Sequence, residues 1–256
     1  MIFLGLRVFN PHIRCARNLT PSRMHYASEI MNNPRDTPGY SQKERFNSGE
    51  GNSWFSRNAN DLRKQEASVD LDFLLQYLLP FKDEINKILE IGCASGIKIA
   101  KLAEQLDALG HGIDPSQTAI ENAPLSKNLQ LQVGTADSLP FPDDSFDFVY
   151  FGFCLYLVDR GLILRTVAEA DRVLKNGGFL AILDFDPGRL YKNVYVHSPG
   201  IFSFKNSYEK FLTGSGHYYQ VSKLQVKDHQ IGFSKNPDER ISVVLLYKEP
   251  NPYKEN

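Results

Sequence analysis

The sequence predicts an α/β fold, a doubly wound, mostly parallel seven-stranded sheet with helices on both faces and an antiparallel strand pair closing its C-terminal end. Three observations lead there. Between residues 85 and 185, short apolar runs alternate with helix-period stretches, the pattern of parallel strands joined by crossover helices. A glycine-rich turn follows the first of those runs, where a sheet of this kind meets its ligands. After residue 225 the alternation stops, and Gln230 to Phe233 and Ile241 to Tyr247 read as two closing strands with no helix between them.

The elements follow in order. Arg7, Arg14, Arg17 and Arg23 precede the first acid, Glu29, among apolar residues such as Phe3, Leu6 and Phe9. That composition fits either an organelle transit peptide, which would make the protein mitochondrial rather than cytoplasmic, or an extension with folding residues starting after Met24 or Met31. Asn32 to Asn60 is rich in Asn, Ser, Gly and Pro and reads as loop. Its adjacent Trp54 and Phe55 suit either a lid over a ligand or a pin onto the core. Residues 1–60 are thus an extension and loop, and 61–256 the main domain. Val69, Leu71, Leu74, Leu75 and Leu78 form a helical stripe ended by Pro80. Ile85 to Ile91 is a buried strand, Ile97 to Leu109 a helix closed by Gly110, and His111 to Asp114 a second strand. A helix over Ser116 to Ala123 and a strand over Leu129 to Val133 come next. Asp147 to Phe151 is the fourth strand, Gly161 to Leu174 a helix broken by Asn176-Gly177-Gly178, and Phe179 to Phe185 the fifth strand. Residues 187–225 hold Tyr191, Tyr195, His197, Phe202, Phe204, Tyr208, Phe211 and Tyr218, dense enough in aromatics to cap a pocket.

Composition excludes several function classes. With 42% hydrophobic and 23% charged residues and a net charge of −1, the chain folds and gives no general electrostatic reason to expect nucleic acid as a partner. No apolar run approaches the ~18 residues of a membrane span. Cys15, Cys93 and Cys154 have neither disulfide-framework nor zinc-ligand spacing, and Asp184 with Asp186 are too few for a metal site.

The informative segment is Ile88-Leu89-Glu90-Ile91-Gly92-Cys93-Ala94-Ser95-Gly96, a buried strand, small residues where backbone approaches a ligand, then a helix. A dinucleotide dehydrogenase needs glycine where Ala94 and Ile97 stand, which opposes that alternative. Glu90 stands near the end of the first strand, Asp114 ends the second and Asp137 follows the third. Singly, each reads as well as a solvated strand end, a helix N-cap and an Asx turn; their mutual spacing is what a chance pattern lacks.

Acid-x-Gly-x-Ala-x-Gly resembles motif I of the class I S-adenosylmethionine-dependent methyltransferases, with Ala94 in the place of a glycine. Gly112-Ile113-Asp114-Pro115, the run Phe141-Pro142-Asp143-Asp144-Ser145-Phe146-Asp147 and Val173-Leu174-Lys175-Asn176-Gly177-Gly178 are similar to that family's later motifs. The resemblance covers about Asp70 to Asp186. It implies S-adenosylmethionine as cofactor, bound by Glu90, Gly92, Cys93, Ala94, Gly96, Asp114, Pro115, Asp137, Ser138, Leu139 and Phe151. Asp114 would take both ribose hydroxyls and Asp137 the adenine amino group.

A sulfonium methyl is already electrophilic, so positioning an acceptor is the protein's main task. Phe151-Gly152-Phe153-Cys154 is not the box of amino-group nucleic-acid methyltransferases, and Cys154 lacks the proline that precedes a cytosine-attacking nucleophile, so it reads as a small buried side chain. The expected acceptor is a small or sugar-like molecule taking the methyl on O or N; the 191–205 tract faintly resembles methyltransferases of bacterial surface-sugar clusters. His197 is the candidate general base and Tyr156 the candidate residue beneath the methyl group. A catalytically silent S-adenosylmethionine-binding partner of another protein remains the alternative of a different class. Oligomeric state has no signature in the sequence.

Overall fold

The computed structural model describes residues 41–62 and 68–255. The expectation of a targeting or disordered segment at the basic start lies outside the described residues. In chain order the strands are β1 (Lys87–Ile91), β2 (Leu109–Asp114), β3 (Leu129–Val133), β4 (Phe146–Gly152), β5 (Leu174–Phe185), β6 (Tyr191–Val194), β7 (Phe202–Lys205), β8 (Tyr218–Lys227), β9 (Gln230–Ile231) and β10 (Ile241–Lys248). The main sheet runs β3-β2-β1-β4-β5-β10-β8-β9, and β6 with β7 forms a separate hairpin. The first five strands are parallel, whereas β10 lies antiparallel between β5 and β8.

Side-chain alternation along β4 splits the core in two. Val149 and Phe151 face the helix Ile163–Val173, while Phe148 and Tyr150 face the helices Val69–Leu78 and Ile97–Leu106. Both faces of β1 and β4 are therefore buried, which is why the neighbours Ile88 and Leu89, and Phe148 and Val149, are apolar in both registers.

Four expectations need correction. The helix starting at Ile97 ends at Leu106, capped by Asp107 in the left-handed region (φ 56°), and Gly110 belongs to β2, paired with Ile88 and Leu129. Asn176-Gly177-Gly178 interrupts no strand: it lies inside β5, as a register irregularity opposite Phe146 to Phe148. The closing pair is β8 with β10. Gln230–Ile231 is only a two-residue edge strand, an eighth beside the seven, and the last part of the expected cap, from Tyr218, is a full sheet strand. Finally, the stretch read as loop up to Asn60 contains the helices Gln42–Arg45 and Gly51–Leu62 with a π turn, Phe46–Glu50, between them. Ser41 and Glu44 form a reciprocal capping box at the start. Gly49 takes a φ of 142°, which turns one helix into the next.

This N-terminal strap is held by distant residues rather than by its own propensity. The Gln42 side-chain amide donates to the carbonyls of Leu157 and Phe202 (2.6 and 3.0 Å) and accepts from the Phe202 N–H. Asn52 Oδ1 accepts from Ser116 Oγ and from the Thr118 N–H, tying the second helix to the turn after β2. Phe55 packs with Ala94 and Ala119, so it is the pin, and Trp54 beside it stays partly open.

Candidate active site

Strands β1, β2 and β4 deliver their C-terminal ends to one place, and the turns leaving them build a cleft roofed by the strap. The cleft is bounded by Gly92, Asp114, Pro115, Asp137, Phe153, Cys154, Lys43 and Trp54, among others. A longer groove continues from it past Glu90, Cys93, Ala94, Ser95 and Lys98 on one side and Tyr156, Phe185, Tyr195 and His197 on the other. Gly92, Gly152, Phe153 and Trp54 border both, so cleft and groove share a wall.

The backbone of the glycine turn is strained in the way a close approach to a ligand requires. Gly92 and Gly96 have φ near 77° and 76°, and Ala94 holds φ 49°. The space that excludes larger residues is internal. A Cβ on Gly92 would stand 2.5 Å from Cys154 Cβ, and one on Gly96 would stand 2.6 Å from Leu131 Cδ1. Packing of the turn against β4 and β3 alone therefore requires these glycines, and Gly92 also borders both cleft and groove. Gly152 is a close-approach position absent from the expected set, since any Cβ there would strike Glu90 Oε1.

Three carboxylates meet this site in different states. Glu90 is buried with Oε2 lacking any partner among the described residues, and burial pushes its carboxyl up to about 8. Asp114 accepts from the Ala94 N–H on Oδ2 (2.9 Å) and the Ser116 N–H on Oδ1 (2.8 Å); burial nevertheless raises it to about 6. A carboxylate has about four acceptor positions, so both Asp114 oxygens retain one toward the cleft. Asp137 is already partnered: Lys43 of the strap donates to its Oδ2 at 2.7 Å and holds it below the usual carboxylate range against the opposing effect of burial. Beneath the groove Lys98 pairs with buried Asp70 at 2.7 Å, and the Tyr150 hydroxyl donates to the same carboxylate oxygen.

The expected binding residues divide accordingly. Glu90, Gly92, Cys93, Ala94, Asp114, Pro115 and Asp137 border the cleft or groove. Ser138, Leu139 and Phe151 do not. Phe151 is fully buried core, Leu139 is buried with its N–H given to Glu169, and Ser138 is exposed beyond the bend. Their motif fixes the path of the chain, but β4 turns Phe151 inward and its successors Gly152 and Phe153 outward. Gly96 supports the turn from behind. Lys43, Ser95, Thr135, Ala136 and Phe153 border the site without having been foreseen. Only Phe153, the bulky residue after the Gly152 at the strand end, carried a local signal.

Of the aromatic residues expected at the groove, Trp54, Tyr156, Tyr195 and His197 line it, while Tyr208 is buried in the core with its hydroxyl on the Phe204 carbonyl. Burial raises the Tyr156 phenol above its ordinary value, so it keeps its proton. His197 sits exposed at the rim; partial burial and the nearby Arg57 lower its pKa, so its imidazole is neutral near pH 7. Arg57 donates to Glu50 and to the Tyr195 hydroxyl (2.9 Å), which itself donates to Glu50 Oε1 at 3.0 Å, a clasp between strap and hairpin. Cys154 donates to the Ile91 carbonyl, and burial raises its thiol well above the usual range, which leaves no nucleophile. Among the described residues no group of three or more His, Cys, Asp or Glu could hold a metal, and no helix is long and apolar enough to cross a membrane.

Comparison with known proteins agrees with this layout. A family profile described as "Methyltransferase domain" matches residues 89–182. The chain is 36% identical over 169 residues to a demethylmenaquinone methyltransferase of Listeria welshimeri, a match covering 58% of this chain and 70% of that one. It is 31% identical over 158 residues to a ubiquinone/menaquinone biosynthesis C-methyltransferase of Agrobacterium fabrum, covering 58% and 60%. The chain spans less than two thirds of the length of most curated relatives it matches. In fold it is similar to the 1,6-didemethyltoxoflavin-N1-methyltransferase of Burkholderia thailandensis, with a TM-score of 0.60 at 17% identity over 84% of this chain and 93% of that one.

Proposed function

Because the chain belongs to the class I S-adenosylmethionine-dependent methyltransferases, we propose that it methylates a small-molecule acceptor seated in the groove beside Tyr156, Tyr195 and His197. The observation that carries this reading is the shared wall. Gly92, Gly152, Phe153 and Trp54 border both the cleft and the groove, so two ligands would meet there edge to edge.

The residues suit the cofactor. Asp114 has free acceptor positions at the sheet edge for two ribose hydroxyls, and the unpartnered Glu90 Oε2 awaits a donor at the buried end of the groove. Asp137 shares its carboxylate with Lys43 and would offer an adenine amino group its remaining acceptor positions. When bound, S-adenosylmethionine supplies an electrophilic sulfonium methyl. The protein's part is to hold, orient and exclude water. Trp54 and Tyr156 border the groove at this junction, and the Arg57–Glu50–Tyr195 clasp holds the hairpin over it. His197, neutral near pH 7, is available to accept a proton from an O–H or N–H acceptor, and carbon acceptors enter the range because a relative is named for C-methylation.

Incubating the purified protein with S-adenosylmethionine and candidate acceptors, and following S-adenosylhomocysteine by mass spectrometry, tests the reading. Acceptor-dependent turnover is expected. Binding of S-adenosylhomocysteine without turnover on any acceptor would favour a silent binding partner instead.

A further inference from the structure

We propose that the groove takes a flat, ring-shaped acceptor bearing a hydrogen-bonding oxygen, with Ser203 as its polar anchor and the rings of Phe153 and Tyr156 as its platform; this rests on the methyltransferase reading above. Ser203 is 1% exposed, borders the groove, and its hydroxyl has no partner among the described residues. A buried hydroxyl without a partner is costly and rare, and in a ligand groove the missing partner is supplied by what binds there. The aim of the side chain follows from the strand. Ser203 and Lys205 share one face of β7, and Lys205 Nζ lies over the Phe185 ring, so that face fronts the groove.

The platform is a second, independent observation. Phe153 and Tyr156 border the groove with ring centroids 5.0 Å apart, and the Phe185 ring, covered by Lys205 Nζ, backs them at 5.0 and 5.2 Å. Phe153 achieves this with φ 64°, a left-handed backbone that a bulky side chain avoids. Strain of that kind persists where the surroundings fix it, and here it aims a ring at the wall shared by cleft and groove. Leu183, Val226 and Ile241 add apolar wall, and the groove also carries the charged Arg57, Asp70, Glu90 and Lys98. Ring faces beside one buried, unpartnered hydroxyl suit a planar oxygenated ring better than a polyol at this end of the groove.

Calorimetry with the protein saturated in S-adenosylhomocysteine tests this with three probes: 2-naphthol, naphthalene and decahydro-2-naphthol. The wild-type protein is expected to bind 2-naphthol, and to bind naphthalene and decahydro-2-naphthol about 5- to 10-fold more weakly. Ser203→Ala should bind 2-naphthol about 5- to 10-fold more weakly while its affinity for naphthalene is unchanged, because one hydrogen bond is lost. Its melting temperature should be unchanged or higher, since no internal hydrogen bond is removed. Equal affinity of variant and wild type for 2-naphthol, an equal loss for naphthalene, preference for the saturated alcohol, or no binding of 2-naphthol by a protein that binds S-adenosylhomocysteine would each overturn the proposal. Failure of the wild-type protein to bind S-adenosylhomocysteine would instead overturn the cofactor reading beneath it.

Discussion

Replacing Glu90 with glutamine probes a carboxyl that the folded protein buries with its Oε2 unpartnered among the described residues. Burial lifts it from 4.5 to about 8. An unfolded chain releases this proton near 4.5, whereas the folded one keeps it to about 8. Between those values the folded state binds more protons, so stability falls as pH rises. Each pKa unit corresponds to about 1.4 kcal/mol, so the penalty grows to about 3 kcal/mol at pH 7 and about 5 kcal/mol above pH 8. Glutamine does not titrate. The free energy of urea unfolding, measured for both proteins from pH 4 to 8.5, should therefore diverge with pH, the variant gaining about 3 kcal/mol relative to wild type between pH 4 and 7. Taking the difference between the two proteins removes the parallel contributions of Asp114 and Asp184, whose burial raises them to about 6 and about 7. A difference that stays constant across this range would refute the claim that Glu90 is held protonated by burial.

Other outcomes follow from the same geometry. Asp114→Ala should weaken S-adenosylhomocysteine binding by about 10- to 100-fold in calorimetry, a loss of about 1–3 kcal/mol, with a cooperative unfolding transition retained. Gly152→Ala should lower cofactor affinity and stability together, because its methyl group collides with Glu90 Oε1 and comes within 3.1 Å of the Gly92 carbonyl oxygen; a variant that binds normally would place Glu90 elsewhere. Arg57→Ala should speed hydrogen exchange in residues 191–205 while changing global stability by less than about 1 kcal/mol, since its guanidinium is partly exposed. Cys93 and Cys154 should resist iodoacetamide at pH 8 until urea is added, their thiols being raised by burial.

The parts legible in the sequence were those encoded within a few residues. β3 was found at its observed limits because Leu129, Leu131 and Val133 alternate with glutamines, and the turn after β1 because glycines and small residues follow an apolar run. β8 was missed since Gln220, Ser222, Lys223 and Gln225 mask its alternation; its strand state comes from pairing with β10. The strap was misread for a related reason. Its Asn, Ser and Gly content is that of a loop, and its order comes from contacts such as Lys43 with Asp137, 94 residues away. Ser203 had no signal at all, since an unpartnered hydroxyl is a property of its surroundings and not of its neighbours in sequence.

The wall shared by cleft and groove carries the chain's single tryptophan. Its indole stays partly open to solvent, so its fluorescence arises from one place and one environment. Occupation of the cleft should shift that emission by expelling water from the ring's face, and a ligand in the groove should quench or shift it again from the other side. Two successive optical changes in one titration, first with S-adenosylhomocysteine and then with a second ligand, would make the order and independence of the two binding events readable in the native protein without a label.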